Sequence, residues 1–374
     1  MGGNREGFPV EQTGSIVTAL NQGSLLRGLG FPLLILLMSS CASFRAAPAH
    51  PDLVWPLPPE PPRIRYAQII REAKDIGFNP NFFRRVIDFL FGEPLTPQVI
   101  RPIGVATDSE GRLYVADNGL QVIHIFDLAK KEYRQVFWLS PSGPARLKNP
   151  VGVAVDRENH LYVSDADLNR IFVFDRKGTL RSTIGSDEDL MRVSSIAVDP
   201  KREILYAVDT PGHRLVLFDL SGHKIGEIGH RGTGPGEFNF PTFVALDRSG
   251  RIYVSDSLNF RFQVFEPTGE FIHAFGRLGD SVGTFSRPKG IAVDNENHVY
   301  VVDSLYDTVQ IFDQEGNLLL HFGQAGSKEG EFWLPNGIAI NQNEEIFIAD
   351  SYNHRIEVFQ YKGENATSGE VKTN

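Results

Sequence analysis

One register, repeated six times, limits what this chain can fold into. The strings Gly104-Val-Ala-Thr-Asp108, Gly152-Val-Ala-Val-Asp156, Ser195-Ile-Ala-Val-Asp199, Phe243-Val-Ala-Leu-Asp247, Gly290-Ile-Ala-Val-Asp294 and Gly337-Ile-Ala-Ile-Asn341 align with one another. Nine or ten residues after each comes a second aspartate: Asp117, Asp165, Asp209, Asp256, Asp303 and Asp350. These follow one another at intervals of 48, 44, 47, 47 and 47 residues. Nine residues further on, every unit has a phenylalanine: Phe126, Phe174, Phe218, Phe265, Phe312 and Phe359. A period of this length belongs to arrays and propellers, in which each unit buries its apolar faces against its neighbours.

Each unit reads as four strands separated by turns. In the second unit they are Val151–Val155, Leu161–Ser164, Arg170–Phe174 and Thr179–Ile184, with turn residues such as Asp175 and Gly178 between them. Strands such as the one starting at Leu161 are apolar at successive positions, so both faces of the sheet are buried. Six four-stranded units buried on both faces predict an all-β fold, a six-bladed β-propeller spanning residues 63–363. The sixth unit, Gly337–Tyr361, holds only three strands. The segment Arg63–Ile70 is the expected fourth, pairing the two ends of the ring and removing an exposed edge.

The run Ala349–Phe359, with Asn353, His354 and Arg355 at its centre, resembles the NHL repeat. Weaker copies lie at Asn169-Arg170-Ile171, His213-Arg214-Leu215 and Asn259-Phe260-Arg261. The equal-length loops Gly229–Pro241, Gly276–Pro288 and Gly323–Pro335 are also NHL-like. Units one and five depart, with Val122 and Thr308 in place of arginine. The resemblance covers residues 101–363 and the closing strand, and extends to bacterial six-bladed NHL-propeller lipoproteins.

The N-terminal part reads as an address. Arg27 precedes an apolar run, Phe31–Met38, followed by Ser39, Ser40 and Cys41, the only cysteine of the chain. A basic residue, an apolar stretch too short to span a bilayer and small residues before a cut form a signal-peptide pattern. The cysteine's place resembles a lipobox, so residues 1–41 are expected to be a signal with Cys41 lipidated. Ala42 in the next position implies, by resemblance, the outer membrane, with the domain facing the periplasm. Residues 42–62, with seven prolines, are expected to be a semi-rigid tether outside any core. A short helix is expected at 79–92: Asn79 suits its N-cap, Pro80 its first turn, and Phe82, Val86, Phe89 and Leu90 form its apolar stripe. Residues 364–374 are expected to be a disordered tail.

Function is harder to read. The net charge of −9 argues against nucleic acid as a partner, and one cysteine excludes an intrachain disulfide. Six symmetric aspartates cannot all be catalytic. They are expected to accept hydrogen bonds from backbone N–H groups of their turns, with Arg170, Arg214, Arg261 and Arg355 as partners. His160 and His298 fall in turns between first and second strands, and no two histidines have the spacing of a local metal site. Residues opening each inner strand should ring the channel mouth: Ile103, Val151, Ser194, Thr242, Lys289 and Asn336. Units three and four also replace the inner glycine with Ser195 and Phe243. Ser194, Thr242, Phe243, Lys289 and Asn336 are therefore the candidate binding residues.

Related propellers include amidating lyases that hold zinc through histidines, and lactonases that hold calcium through carboxylates and amides. The mouth ring of this chain offers one amide, and neither a carboxylate nor a histidine. The expectation is a lipid-anchored, non-enzymatic binding or scaffolding protein of the cell envelope. Its partner would be an envelope protein or extended ligand. No catalytic residue, cofactor or metal ligand is assigned. A metal-dependent lyase or lactonase at the mouth is the alternative.

Overall fold

The computed structural model describes residues 52–79, 98–137 and 145–363. Within them the chain forms six antiparallel blades in a ring. Blades one to five are the four-stranded sheets 102–136, 150–184, 193–228, 241–275 and 288–322. Blade six combines three strands from 338–361 with the closing strand Ile64–Ile70, whose register runs from Ile64 against Tyr361 to Ile70 against Ile356. Among the described residues, the helical elements are 3-10 turns of four and three residues, Ala73–Ile76 and Ser257–Asn259. No helix among them is long and apolar enough to cross a membrane. The signal and lipobox, the tail and nearly all of the helix expected at 79–92 lie outside the described residues.

One expectation is overturned. The proline-rich stretch does not end as a free tether at residue 62. Val54–Trp55 pairs antiparallel with the closing strand and adds a fifth, short strand to blade six. The Trp55 ring packs on Phe322 and Phe359, with ring centroids 5.9 and 5.7 Å apart. Prolines limit main-chain pairing, yet Val54 and Trp55 carry the N–H groups and apolar side chains that an edge can capture.

The core lies between blades. One cluster joins Tyr206, Val208 and Leu215 of blade three to Val244, Val254 and Phe265 of blade four, and five similar clusters complete the ring. All six repeat phenylalanines are at most 3% exposed. A second column, Phe238, Phe285 and Phe332, plugs the loops entering blades four, five and six and is fully buried. Gly276, at φ +109°, shows why these loops begin with glycine: a Cβ there would sit 2.5 Å from the Phe285 ring.

The inner glycines have a related cause. A Cβ on Gly152 would lie 2.7 Å from the Ser194 carbonyl of the next blade. Inner strands therefore meet backbone to backbone, and Gly290 and Gly337 donate N–H bonds across blades to Asn336 and Ile103 carbonyls, both 2.9 Å.

Candidate functional site

The repeated side chains of each blade are structural. Asp350 accepts hydrogen bonds from Trp333 N–H (2.8 Å), Asn353 Nδ2 (2.7 Å) and Arg355 Nε (2.9 Å). Arg355 then caps the Ser327, Lys328 and Glu331 carbonyls of the incoming loop. Asp256 and Arg261 repeat this in blade four. Each aspartate thus ties the incoming loop to its blade, beyond the local turn expected of it. Burial pushes Asp256 and Asp350 above the usual carboxylate range, against these stabilising bonds. In blade one His124 stands in for the arginine. With backbone donors it outweighs burial and lowers the Asp117 pKa.

The expected arginine partnership holds for Arg214, Arg261 and Arg355. Arg170 departs: it pairs with Asp187 at 2.8 Å, while Asp165 is satisfied by backbone donors from Lys148, Asn149, Asp167 and Leu168. The residue before each arginine column is left-handed, including Asn169, His213 and His354 at φ 52°, 55° and 56°. Asn and His tolerate that region better than most residues, so these histidines serve the turn.

The mouth face carries the loops between blades and the turns joining second to third strands. Its candidate residues separate into three sets. In blades three and four, Ser194 Oγ lies 2.8 Å from Thr210 Oγ1 and donates to the Thr242 carbonyl at 3.0 Å. Thr242 Oγ1 lies 2.6 Å from Ser257 Oγ, and Ser257 Oγ donates to the Pro288 carbonyl of blade five at 2.5 Å. These hydroxyls stitch neighbouring blades together. Phe243 turns into the cluster around Phe262 and Phe285, so the lost inner glycine supplies core packing.

The third set is different. Half-buried Lys289 donates to Asn336 Oδ1 across the blade five–six boundary, at 2.7 Å. Asn336 Nδ2 is held by Ser351 Oγ (2.7 Å), and Ser351 donates to the Pro102 carbonyl of blade one (2.5 Å). Burial, reinforced by Arg287 and Arg101, pushes the Lys289 amine down to about 8. Above this pair Arg101 lies over the Tyr352 ring, 5.7 Å from its centroid, and Tyr352 packs on Trp333 at 5.6 Å. Sequence reasoning found Lys289 and Asn336 through their ring position. It missed Arg101, Arg287, Trp333 and Tyr352, because the repeat marks their loops and turns without saying which side chains meet there.

Among the described residues, one trio of metal-capable side chains comes together: Asp156, Glu158 and His160. It lies in the first-to-second strand turn of blade two, on the face opposite the mouth. There Asp156 already binds His160 Nδ1 (2.9 Å) and Tyr162 Oη (3.2 Å). A groove of about 610 Å³ opens elsewhere, at the outer edge of blade six, between Leu53–Leu57 and the loop at 323–331.

The comparisons agree with this architecture. Family models match NHL repeats at residues 238–265 and 332–359, and a six-bladed β-propeller domain at 146–230. The chain is a six-bladed β-propeller carrying NHL repeats. No curated protein matches it by sequence. Among solved structures it resembles virginiamycin B lyase from Staphylococcus aureus: 14% identity, 72% of this chain, 87% of that one, TM-score 0.51. It also resembles a gluconolactonase from Xanthomonas campestris: 15% identity, 71% and 87% coverage, TM-score 0.54. A chain of a nidogen/laminin complex matches with 19% identity, 68% and 89% coverage and TM-score 0.51. At these identities the likeness concerns the fold alone.

Proposed function

We propose that this NHL-repeat propeller is a binding module, anchored in the bacterial envelope through Cys41, whose mouth face receives a macromolecular partner. One observation carries the reading. Among the described residues, every exposed large apolar side chain except Leu57 and Ile225 sits in a mouth-face loop or turn. Leu258, Leu305 and Trp333, 40%, 50% and 53% exposed, are examples. Scattered exposed apolar residues need no explanation, but their concentration on one face marks an interaction surface. Among the described residues, the opposite face carries the first-to-second and third-to-fourth strand turns and the segment leading into the closing strand.

The anchoring rests on the Met38-Ser-Ser-Cys41 sequence and is tested by Cys41→Ser, which should release the protein from the membrane fraction. The binding reading is tested with a photo-crosslinking residue placed at Leu258 or Leu305 in the full chain. A discrete adduct is expected there, and none from the same probe at Lys177 on the opposite face. Equal adducts from both faces would overturn it.

A lyase or lactonase is the second reading, prompted by the names of two fold relatives. It requires retained calcium or zinc and turnover of a lactone or streptogramin by the purified chain. Metal-dependent turnover would replace the binding reading.

A further inference from the structure

The mouth sector shared by blades five, six and one has an electrostatic peculiarity. This is an acidic chain, with a net charge of −9. Even so, Arg287 lies two residues before Lys289, and the hydrogen-bond chain from Lys289 through Asn336 and Ser351 ends on the Pro102 carbonyl beside Arg101, which gathers the three cations in one sector. Elsewhere on the same face some cations are paired, as Arg170 is with Asp187 and Arg214 with Asp209. Among the described residues, no carboxylate lies within ion-pair distance of Lys289, Arg287 or Arg101. The carboxylates that reach this sector bind main chain: Asp117 accepts from the Arg101 N–H and Asp303 from the Arg287 N–H, both at 3.0 Å, and Asp307 accepts from the Leu334 N–H at 2.6 Å. A half-buried ammonium held by one amide oxygen is costly unless a counter-ion arrives.

Apolar surface alternates with this charge. Arg287 precedes Lys289, and its carbonyl accepts the Ser304 N–H beside exposed Leu305. Trp333 and Tyr352 are 53% and 40% exposed, and Tyr352 N–H binds the Trp333 carbonyl at 3.2 Å. Arg101 rests on Tyr352 and follows Ile100, itself 40% exposed. The strip therefore reads apolar, cationic, aromatic, cationic, apolar across three blades.

We infer that this strip is the docking site for an extended acidic segment of a partner protein, with carboxylates meeting Lys289, Arg287 and Arg101 and an apolar or aromatic side chain resting on Trp333 and Tyr352. The inference rests on the binding reading and names the partner's chemistry. Charge complementarity argues for the acidic segment. The aromatic pair argues for a side chain between the carboxylates, since exposed Trp and Tyr provide large contact area at low entropic cost.

The test uses the full chain in detergent and a labelled peptide, Asp-Glu-Phe-Asp-Glu, followed by fluorescence anisotropy. Binding should weaken with added salt. Lys289→Met and Arg101→Gln should each weaken it at least ten-fold, Trp333→Ala several-fold, and Lys177→Gln not at all. Arg101 is exposed, so its variant tests the idea even if Lys289→Met fails to fold. Several results would overturn the inference. These are no binding at millimolar peptide, equal binding of a Lys-Arg-Phe-Arg-Lys peptide, or unchanged affinity in the Arg101 variant. Equal or better binding of inorganic phosphate or of phosphatidylglycerol vesicles would do the same. If peptide binding fails while mouth-face crosslinking persists, the charge assignment falls and the binding module stands.

Discussion

Glu357 offers a stability measurement that the repeat itself has prepared. It is fully buried in the last strand of blade six, paired with the closing strand through Ile69. Blades four and five place Gln263 and Gln310 at this position. Gln263 donates to the Glu237 carbonyl (2.7 Å) and accepts from Gly236 N–H (3.0 Å). Gln310 donates to Thr284 (2.8 Å) and accepts from Gly283 (2.7 Å). Blade six puts a carboxyl where an amide would serve both roles. Arg355 lies 2.8 Å from it but also serves Asp350 at 2.9 Å, so one guanidinium faces two buried acids. Burial dominates, and the Glu357 carboxyl is pushed from its ordinary 4.5 up to about 8.

The sign follows from proton linkage. Between these values the folded chain holds a proton that the unfolded chain has released, so stability falls as pH rises through the interval and levels off above the folded value. At about 1.36 kcal/mol per unit, the cost reaches roughly 3 kcal/mol at pH 7 and between about 4 and 5 above pH 9. Asp350 and Tyr66, the other shifted acids at this joint, are coupled to Glu357, so the comparison reads the loss of its proton together with their response. Glu357→Gln should therefore remove about 3 kcal/mol of the decline between pH 5 and 8. It should be the more stable protein at pH 8. The assay is urea unfolding at pH 5, 6, 7, 8 and 9 for both proteins. A flat wild-type profile, with the glutamine variant less stable throughout, would show Glu357 ionised and the Arg355 ion pair in control, refuting the reasoning.

Other perturbations follow from the same geometry. Asp350→Ala leaves the Arg355 guanidinium buried with its principal partner gone, and should cost about 3–5 kcal/mol in denaturant unfolding. Gly152→Val drives a side chain into the Ser194 carbonyl of the next blade and should cost about 1–3 kcal/mol, or more if the ring cannot relax; a variant as stable as wild type would disprove that close approach. Trp55→Ala should lower stability by about 2–3 kcal/mol, because the ring bridges blades five and six; a free tether would show no change. Gln121→Gly, at an exposed position with φ 62°, should raise stability by about 1 kcal/mol, read as a higher urea midpoint.

The repeat made the blades legible because every unit solves the same packing problem with the same residue types. Phe126 and its five counterparts had to be buried wherever a sheet met its neighbour, and Arg63–Ile70 had to close the ring because blade six lacked a strand. The N-terminal edge was misread because prolines describe only the backbone they restrict. Nothing local in Val54 or Trp55 announces the open edge and the Phe322–Phe359 surface that receive them.

The mouth divides along the same line. Sequence position alone put Ser194, Thr242, Phe243, Lys289 and Asn336 at the start of inner strands, because a repeat assigns equal places to equal registers. Ring closure decided their different fates. It spent the Ser194 hydroxyl on the Thr242 carbonyl of the next blade and the Thr242 hydroxyl on Ser257 of its own blade, packed half-buried Phe243 against the core, and joined Lys289 to Asn336. It also brought Arg101 onto Tyr352 across some 250 residues of chain. Hydrophobic period and turn chemistry are properties of neighbours in sequence. The balance of charge at the mouth depends on neighbours in space, and only the closed ring determines which those are.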